Sequence, residues 1–313
     1  MKKSLLVCLL LVFSFACEAQ LYPVFTQYYF NELMINPAFA GAHVQLSATS
    51  TYRNQWINFP GAPKTFSFTA HSSFARAKIG LGFMVNEDRI GSYANQDVTI
   101  SGSYKIRFPN STLSFGLQGM LYFLKADFSS LNLVSPYPSD PQFAPYNQFK
   151  PNIGTGVYYH KKNFFVGFSV PSLITSTFTA NDAVASQLRQ PRNYFLRSGF
   201  ISNLALSGKV KINPSILIRA EEGQPLSMDL NASVIFYDVF SSGLSLRSGD
   251  SVIAFFSLQL LENLYFNYSF DFTTSHLAPF SSGTQEFMLN YRVKVTKGQR
   301  ELRCPSYHSY RED

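Results

Sequence analysis

Apolar and polar residues alternate with a period of two through most of this chain. In 112–125, Leu113, Phe115, Leu117, Leu121 and Phe123 fall on one face, and Ser114, Gly116, Gln118 and Tyr122 on the other. In 226–237, Leu226, Met228, Leu230, Ala232, Val234 and Phe236 alternate with Ser227, Asp229, Asn231 and Ser233. In 286–295, Phe287, Leu289, Tyr291 and Val293 alternate with Glu286, Asn290 and Arg292. A strand sends successive side chains to opposite faces, so the pattern predicts strands with one apolar and one polar side. Fourteen are predicted, over 43–54, 63–75, 77–87, 94–107, 111–127, 150–161, 163–170, 191–204, 207–220, 226–238, 240–249, 251–262, 263–273 and 284–296.

The connections alternate in length. After every second strand they are short: Arg76, 108–110, Lys162, 205–206, Val239 and Glu262. The links at 128–149, 171–190 and 274–283 are long. Pro136, Pro138, Pro141 and Pro145 exclude a central strand from the first of these. An even strand count with short turns on one side and long loops on the other is the pattern of an outer-membrane barrel, short turns and both termini periplasmic.

Composition separates this reading from a soluble sandwich. The chain holds 31 Phe and 18 Tyr but only 14% charged residues, against about 25% in a typical soluble domain. The mature part has no apolar run long enough for a membrane helix. The expected fold is therefore all-β, a transmembrane antiparallel barrel of about 14 strands whose apolar side chains meet lipid. The net charge of +7 does not point to nucleic acid. Two of the positive charges lie in the N-terminal leader, and Lys294, Lys297, Arg300, Arg303 and Arg311 gather near the other end, with no basic stripe interleaved with stacking aromatics.

The N-terminus fixes the compartment. Lys2 and Lys3 precede an apolar segment from Ser4 to Phe15, and Cys17-Glu18-Ala19 offers a small-x-small site. This predicts a signal peptide over 1–19, cleaved before Gln20, with lipid attachment at Cys17 as the alternative. After cleavage only Cys304 remains, so no intramolecular disulfide is expected. Two segments lie outside the barrel at 43–296: an aromatic one at 20–42 and a polar tail at 297–313. Aromatic side chains left in water would be costly, so 20–42 is expected to plug the lumen, or else to strap the periplasmic rim. The plug candidates are Tyr28, Phe30, Asn36, Pro37, Phe39 and Gly41. Alternation turns Arg53, Asp271, Glu286 and Arg292 inward as a lumen charge cluster, since buried charges need partners. Trp56 and Phe59 fall in the first outward loop, where Trp56 suits the membrane interface.

Catalytic chemistry finds no support. His43, His71, His160, His276 and His308 form no metal-ligand motif, and neither metal nor cofactor is expected. His71 and Ser73 share the lumen face, where a serine–histidine pair is a polar lining. Gly80-Leu81-Gly82 and the Gly116/Gly119 pair belong to strands, with no helix following to cradle a phosphate.

Four segments carry a family resemblance: Phe25 to Gly41 (FTQYYFNELMINPAFAG), Tyr52 to Thr65 (YRNQWINFPGAPKT), Gly80 to Gly91 (GLGFMVNEDRIG), and Phe270 to Ser275 (FDFTTS) with Ser282 to Tyr291 (SGTQEFMLNY). In order and spacing they resemble the PorP/SprF family of type IX secretion membrane proteins of Bacteroidetes. Glu32 stands where that family often has proline, and Gln285 where it usually has histidine. The resemblance implies a non-enzymatic outer-membrane component of the type IX secretion and gliding machinery. Its partners would be secreted cargo proteins such as adhesins, periplasmic parts of the machine, and outer-membrane lipid. The alternative is an outer-membrane channel or hydrophobic-solute transporter with an N-terminal plug.

Overall fold

The computed structural model describes residues 25–43, 46–74, 78–128, 146–179, 187–204 and 209–293. The predicted signal segment 1–19, the loop prolines Pro136, Pro138, Pro141 and Pro145, and the tail 297–313 with Cys304 lie outside them.

Strand β1 (Leu46–Asn54) hydrogen-bonds on one edge to β2 (Lys64–Phe74) and on the other to β17 (Thr284–Val293). Between them run β3 (Ile79–Ile90), β4 (Tyr93–Arg107), β5 (Ser111–Ala126), β6 (Tyr146–Lys161), β7 (Phe164–Val170), β8 (Ser176–Thr179), β9 (Gln187–Gln190), β10 (Asn193–Phe200), β11 (Ser202–Asn203), β12 (Val210–Glu221), β13 (Ser227–Phe236), β14 (Phe240–Arg247), β15 (Ser251–Leu261) and β16 (Leu264–Thr273). β8 and β9 form a separate hairpin. β10 and β11 keep one register on β12, with Gly199 opposite Ser215 and Ser202 opposite Ile212, so they are one wall strand. The wall is thus a closed, all-antiparallel barrel of 14 strands. Closure pairs every backbone edge, which is what a strand protein in hydrocarbon requires.

The burial pattern is inverted relative to a soluble protein. On β5, Thr112, Ser114, Gly116, Gln118, Met120 and Tyr122 are buried, while Phe115, Leu117 and Leu121 are exposed. Leu117 is 70% exposed and Ile100 64%, whereas Thr99 and Glu286 are at 0%. A belt of exposed Leu, Ile and Phe around a buried polar interior is stable only where lipid covers the belt. Among the described residues no helix is long and apolar enough to cross a membrane; the strands make the crossing.

The short turns and the ends of the wall, where β1 begins and β17 finishes, share one side of the barrel, here the terminal end. The opposite side, the loop end, carries the long links. The structure differs from the predicted connections in three places. β6 begins at Tyr146, so the strand takes four residues from the expected 128–149 loop. β3 runs on to Ile90, because ladder hydrogen bonding continues beyond the apolar face, with Asp88 paired to Asn95. The 171–190 link is not a plain loop: it holds the β8–β9 hairpin and folds inward. Phe178 is buried against Met120, Tyr122 and Leu124 of β5, its ring 5.5 Å from that of Tyr122. Gln118 Nε2 donates to the Pro171 carbonyl at 2.9 Å, and the Ile174 amide donates to Asn152 Oδ1 at 3.0 Å.

The inverted wall makes a direct prediction. Leu117→Arg on the lipid face is expected to destabilise the barrel by about 2–4 kcal/mol near the bilayer midplane. Reversible unfolding by guanidinium in lipid vesicles measures it, and Leu117→Phe serves as the neutral control.

Candidate functional site

Residues 25–41 run lengthwise through the lumen and are buried almost without interruption. They form three short 3-10 turns, Gln27–Tyr29, Glu32–Met34 and Pro37–Phe39. Asn36 caps the third, its Oδ1 accepting from the Ala38 amide at 2.9 Å. Pro37 sits at the first position of that turn, where its missing N–H costs nothing. The segment starts beside Arg53, Asp271 and Glu286 at the loop end and finishes beside Gly80 and Lys105 at the terminal end. The wall strands thus begin and end on one side, but Phe25 lies on the other, because the chain crosses the lumen before β1 starts.

An ionic chain grips the start of the segment. Arg53 Nη2 lies 3.0 Å from Asp271 Oδ2, and Nη1 lies 3.0 Å from Glu286 Oε2. Glu286 also accepts the backbone amides of Thr26 at 2.8 Å and Gln27 at 3.0 Å. The Thr26 hydroxyl donates to Asp271 at 2.8 Å. Arg247 extends the chain, 3.8 Å from Asp271 and 3.1 Å from Asp229. Buried charges persist only with such partners. Arg292 does not join this group. It lies six residues from Glu286 along β17, about 20 Å at the strand rise, where it donates to Asn290 at 2.7 Å and stands 5.1 Å over the Tyr265 ring.

The middle of the segment is held by a second ion pair. Glu32 lies 2.7 Å from Arg197 Nη1, and the Tyr158 hydroxyl donates to Glu32 at 3.3 Å. Arg197 also stands 5.3 Å over the Tyr28 ring and donates to the Tyr28 carbonyl at 3.3 Å, while Asn231 donates to the Tyr28 hydroxyl at 2.9 Å. Phe25, Tyr28, Tyr29, Phe30, Met34 and Ile35 pack against inward-facing Phe195, Leu217, Ile235, Ile253, Phe255 and Met288.

The end of the segment lies flush on the wall. Ser73, Gly80, Ser103, Gly116, Gly156 and Ser169 are successive register partners across β2 to β7 and form one row of small residues. A Cβ on Gly80 would overlap the Ala40 carbonyl, and one on Gly116 would overlap the Ala38 amide nitrogen. Ser103 donates to the Ala40 carbonyl at 2.7 Å and Ser169 to the Ile35 carbonyl at 2.6 Å. The Gly41 amide donates to His71 Nδ1 at 3.1 Å, and Lys105 donates to the Gly41 carbonyl. Phe39 packs with Leu33, Tyr158 and Phe165. Of the remaining sequence candidates, Trp56 is half-buried at the loop end, its amide donating to Thr284 Oγ1 at 3.0 Å and its ring 6.4 Å from that of Phe59, which is exposed.

Several residues of this site were not singled out from sequence. Arg197, Asp229 and Arg247 needed the barrel's register, which sets Asp229 opposite Arg247, and Thr26, Gln27 and Glu32 needed the path of the lumen segment. The inward apolar contacts did leave a signal. Val234-Ile235-Phe236, Val252 to Phe256 and Phe287-Met288-Leu289 break the period-two pattern with consecutive apolar residues.

Two expectations follow. Gly116→Val places a side chain where the 37–38 backbone lies, so it is expected to expel the segment and leave the wall closed. Limited proteolysis of the folded protein should then cut within 25–41, where the wild type resists. Glu32→Ala strands Arg197 without its partner and is expected to destabilise the protein by about 3–5 kcal/mol. Replacing Arg197 by Leu in the same protein should restore much of that, as an unfolding double-mutant cycle will show.

The fold is similar to that of a Pseudomonas aeruginosa FadL homologue, at 12% identity and a TM-score of 0.47, covering 89% of this chain and 96% of that one. The Acinetobacter baumannii outer membrane protein Omp33 is similar at 10% identity and 0.46, covering 79% and 95%. The CymD monoaromatic hydrocarbon channel is similar at 10% and 0.45, covering 86% and 92%. No curated protein matches the sequence significantly. The family model for the type IX secretion system membrane protein PorP/SprF matches residues 17–291, including both the lumen-filling segment and the wall that holds it, and the chain belongs to that family.

Proposed function

We propose that this protein is a non-enzymatic outer-membrane barrel that supports secretion or surface attachment of particular cargo proteins, such as adhesins, through the type IX machinery. The observation that carries the reading is the filled lumen in a member of a secretion family. Residues 25–41 occupy the interior along its length, and Phe178 enters it from the loop end. A barrel filled in this way offers its rims and loops to protein partners rather than an open path to solutes. In this reading the short turns and the C-terminal end of the wall face the periplasm and its machinery components. The long links face outward, where cargo docks. Outward loops on a rigid wall are where recognition is expected to lie.

Deleting the gene in its host and comparing secreted and surface proteins tests the reading. Loss of one large secreted or surface protein is the expected result. The purified barrel in a planar bilayer is expected to carry no sustained ion current. Intact secretion with altered solute uptake, or robust conductance of the wild-type barrel, would favour a plugged solute transporter instead.

A further inference from the structure

The lumen charges described so far answer one another: Glu32 meets Arg197, Asp229 meets Arg247, and Asp271 and Glu286 meet Arg53. Two buried carboxylates near the loop end do not follow this rule. Asp88 on β3 and Asp97 on β4 face inward, 4% and 7% exposed, and neither has a cation within ion-pair distance among the described residues. Asp88 accepts from the Thr65 hydroxyl at 2.6 Å. Asp97 accepts from Asn86 Nδ2 at 2.9 Å and from the Thr99 hydroxyl at 3.5 Å. These are neutral donors, and the Arg53 guanidinium, in the same cross-strand row as Asp88, acts on it only from beyond ion-pair distance.

The register explains why the two acids are neighbours. One cross-strand row holds Ser67, Asn86, Asp97 and Tyr122, and the adjoining row holds Thr65, Asp88, Asn95 and Leu124. A second observation falls on the same patch. Ser67 Oγ, Asn86 Oδ1, both amide atoms of Asn95 and the Tyr122 hydroxyl are buried without a hydrogen-bond partner. Unpartnered polar atoms recur elsewhere in this lumen, but here they flank two carboxylates that have no ion-pair partner among the described residues. Phe178 packs over Tyr122 and Leu124 at the edge of this patch.

The donor set identifies the ion. Every candidate ligand is an oxygen: two carboxylates, two amide carbonyls and a hydroxyl. The two rows hold no His or Cys, the ligands that favour a transition metal. Calcium accepts six to eight oxygen ligands of mixed charge in irregular geometry, whereas magnesium demands a near-ideal octahedron. Two carboxylates match its charge. We propose that Asp88 and Asp97, with the side-chain oxygens of Asn86, Asn95 and Ser67, bind a calcium ion inside the loop end of the barrel. The ion ties β2, β3 and β4 together beneath the inward-folded 171–179 segment.

The test uses the full mature chain, purified in detergent, freed of lipopolysaccharide and treated with chelator. Calcium alone is expected to raise the thermal unfolding midpoint. Terbium luminescence sensitised by the nearby Tyr122 is expected to saturate and to be displaced by calcium at least ten-fold more effectively than by magnesium. Asp97→Asn and Asp88→Asn should each weaken calcium at least ten-fold, with the heat-modifiable gel shift of a folded barrel retained. Should either fail to fold, Asn95→Ala keeps both carboxylates and is expected to weaken calcium as well. No calcium effect in the wild type, or an unchanged calcium response in the folded Asp88→Asn/Asp97→Asn protein or in Asn95→Ala, overturns the proposal.

Discussion

The interior of this protein depends on the Glu286 carboxylate. It lies between the Arg53 guanidinium and the backbone amides of Thr26 and Gln27, completely withdrawn from solvent. A charge in that position is tolerable only because both kinds of partner are present. Arg53 is in turn held by Asp271, and Asp271 by Arg247. The wall strands β1, β14, β16 and β17 and the lumen segment therefore share one electrostatic unit. Removing the segment would leave Glu286 without two of its donors, and removing the wall charges would leave the segment without its anchor.

The remaining contacts divide the lumen by chemistry. Toward β10 to β17, apolar side chains on the inner face receive the aromatic residues of 25–35. Toward β2 to β7, the inner face narrows to glycine and serine, and the backbone of 36–41 lies against it. Side-chain packing holds one half of the segment and backbone proximity the other. Glu32 and Arg197 sit near the junction.

The inverted barrel and the filled lumen bear on function together. The exposed apolar belt places the chain in a bilayer, and family membership places that bilayer at the outer membrane of a type IX system. The histidine and serine at 71 and 73, which could suggest catalysis, are part of the polar lining. His71 accepts the Gly41 amide and so serves to hold the segment. The loop-end acids Asp88 and Asp97 differ from the other buried charges described above in having only neutral hydrogen-bond donors and no cation within ion-pair distance.

The sequence by itself determined the wall. Period-two alternation is a local property, and Leu113 through Phe123 carry it whatever the rest of the chain does. Fourteen strands, their closure and the inward direction of Arg53, Asp271 and Glu286 follow from it. The four motifs determined the family for the same reason, since they are short and contiguous. Only the tertiary structure decided what fills the barrel. Glu32 meets Arg197 across 165 residues, and Thr26 meets Glu286 across 260. Such contacts leave no periodicity in either partner. Arg292 shows the limit of the local rule: it faces inward as alternation requires, but its distance along β17 separates it from Glu286. The folding of 171–179 into the lumen was likewise set by closure, which brought Phe178 over β5, a strand more than fifty residues away in the chain.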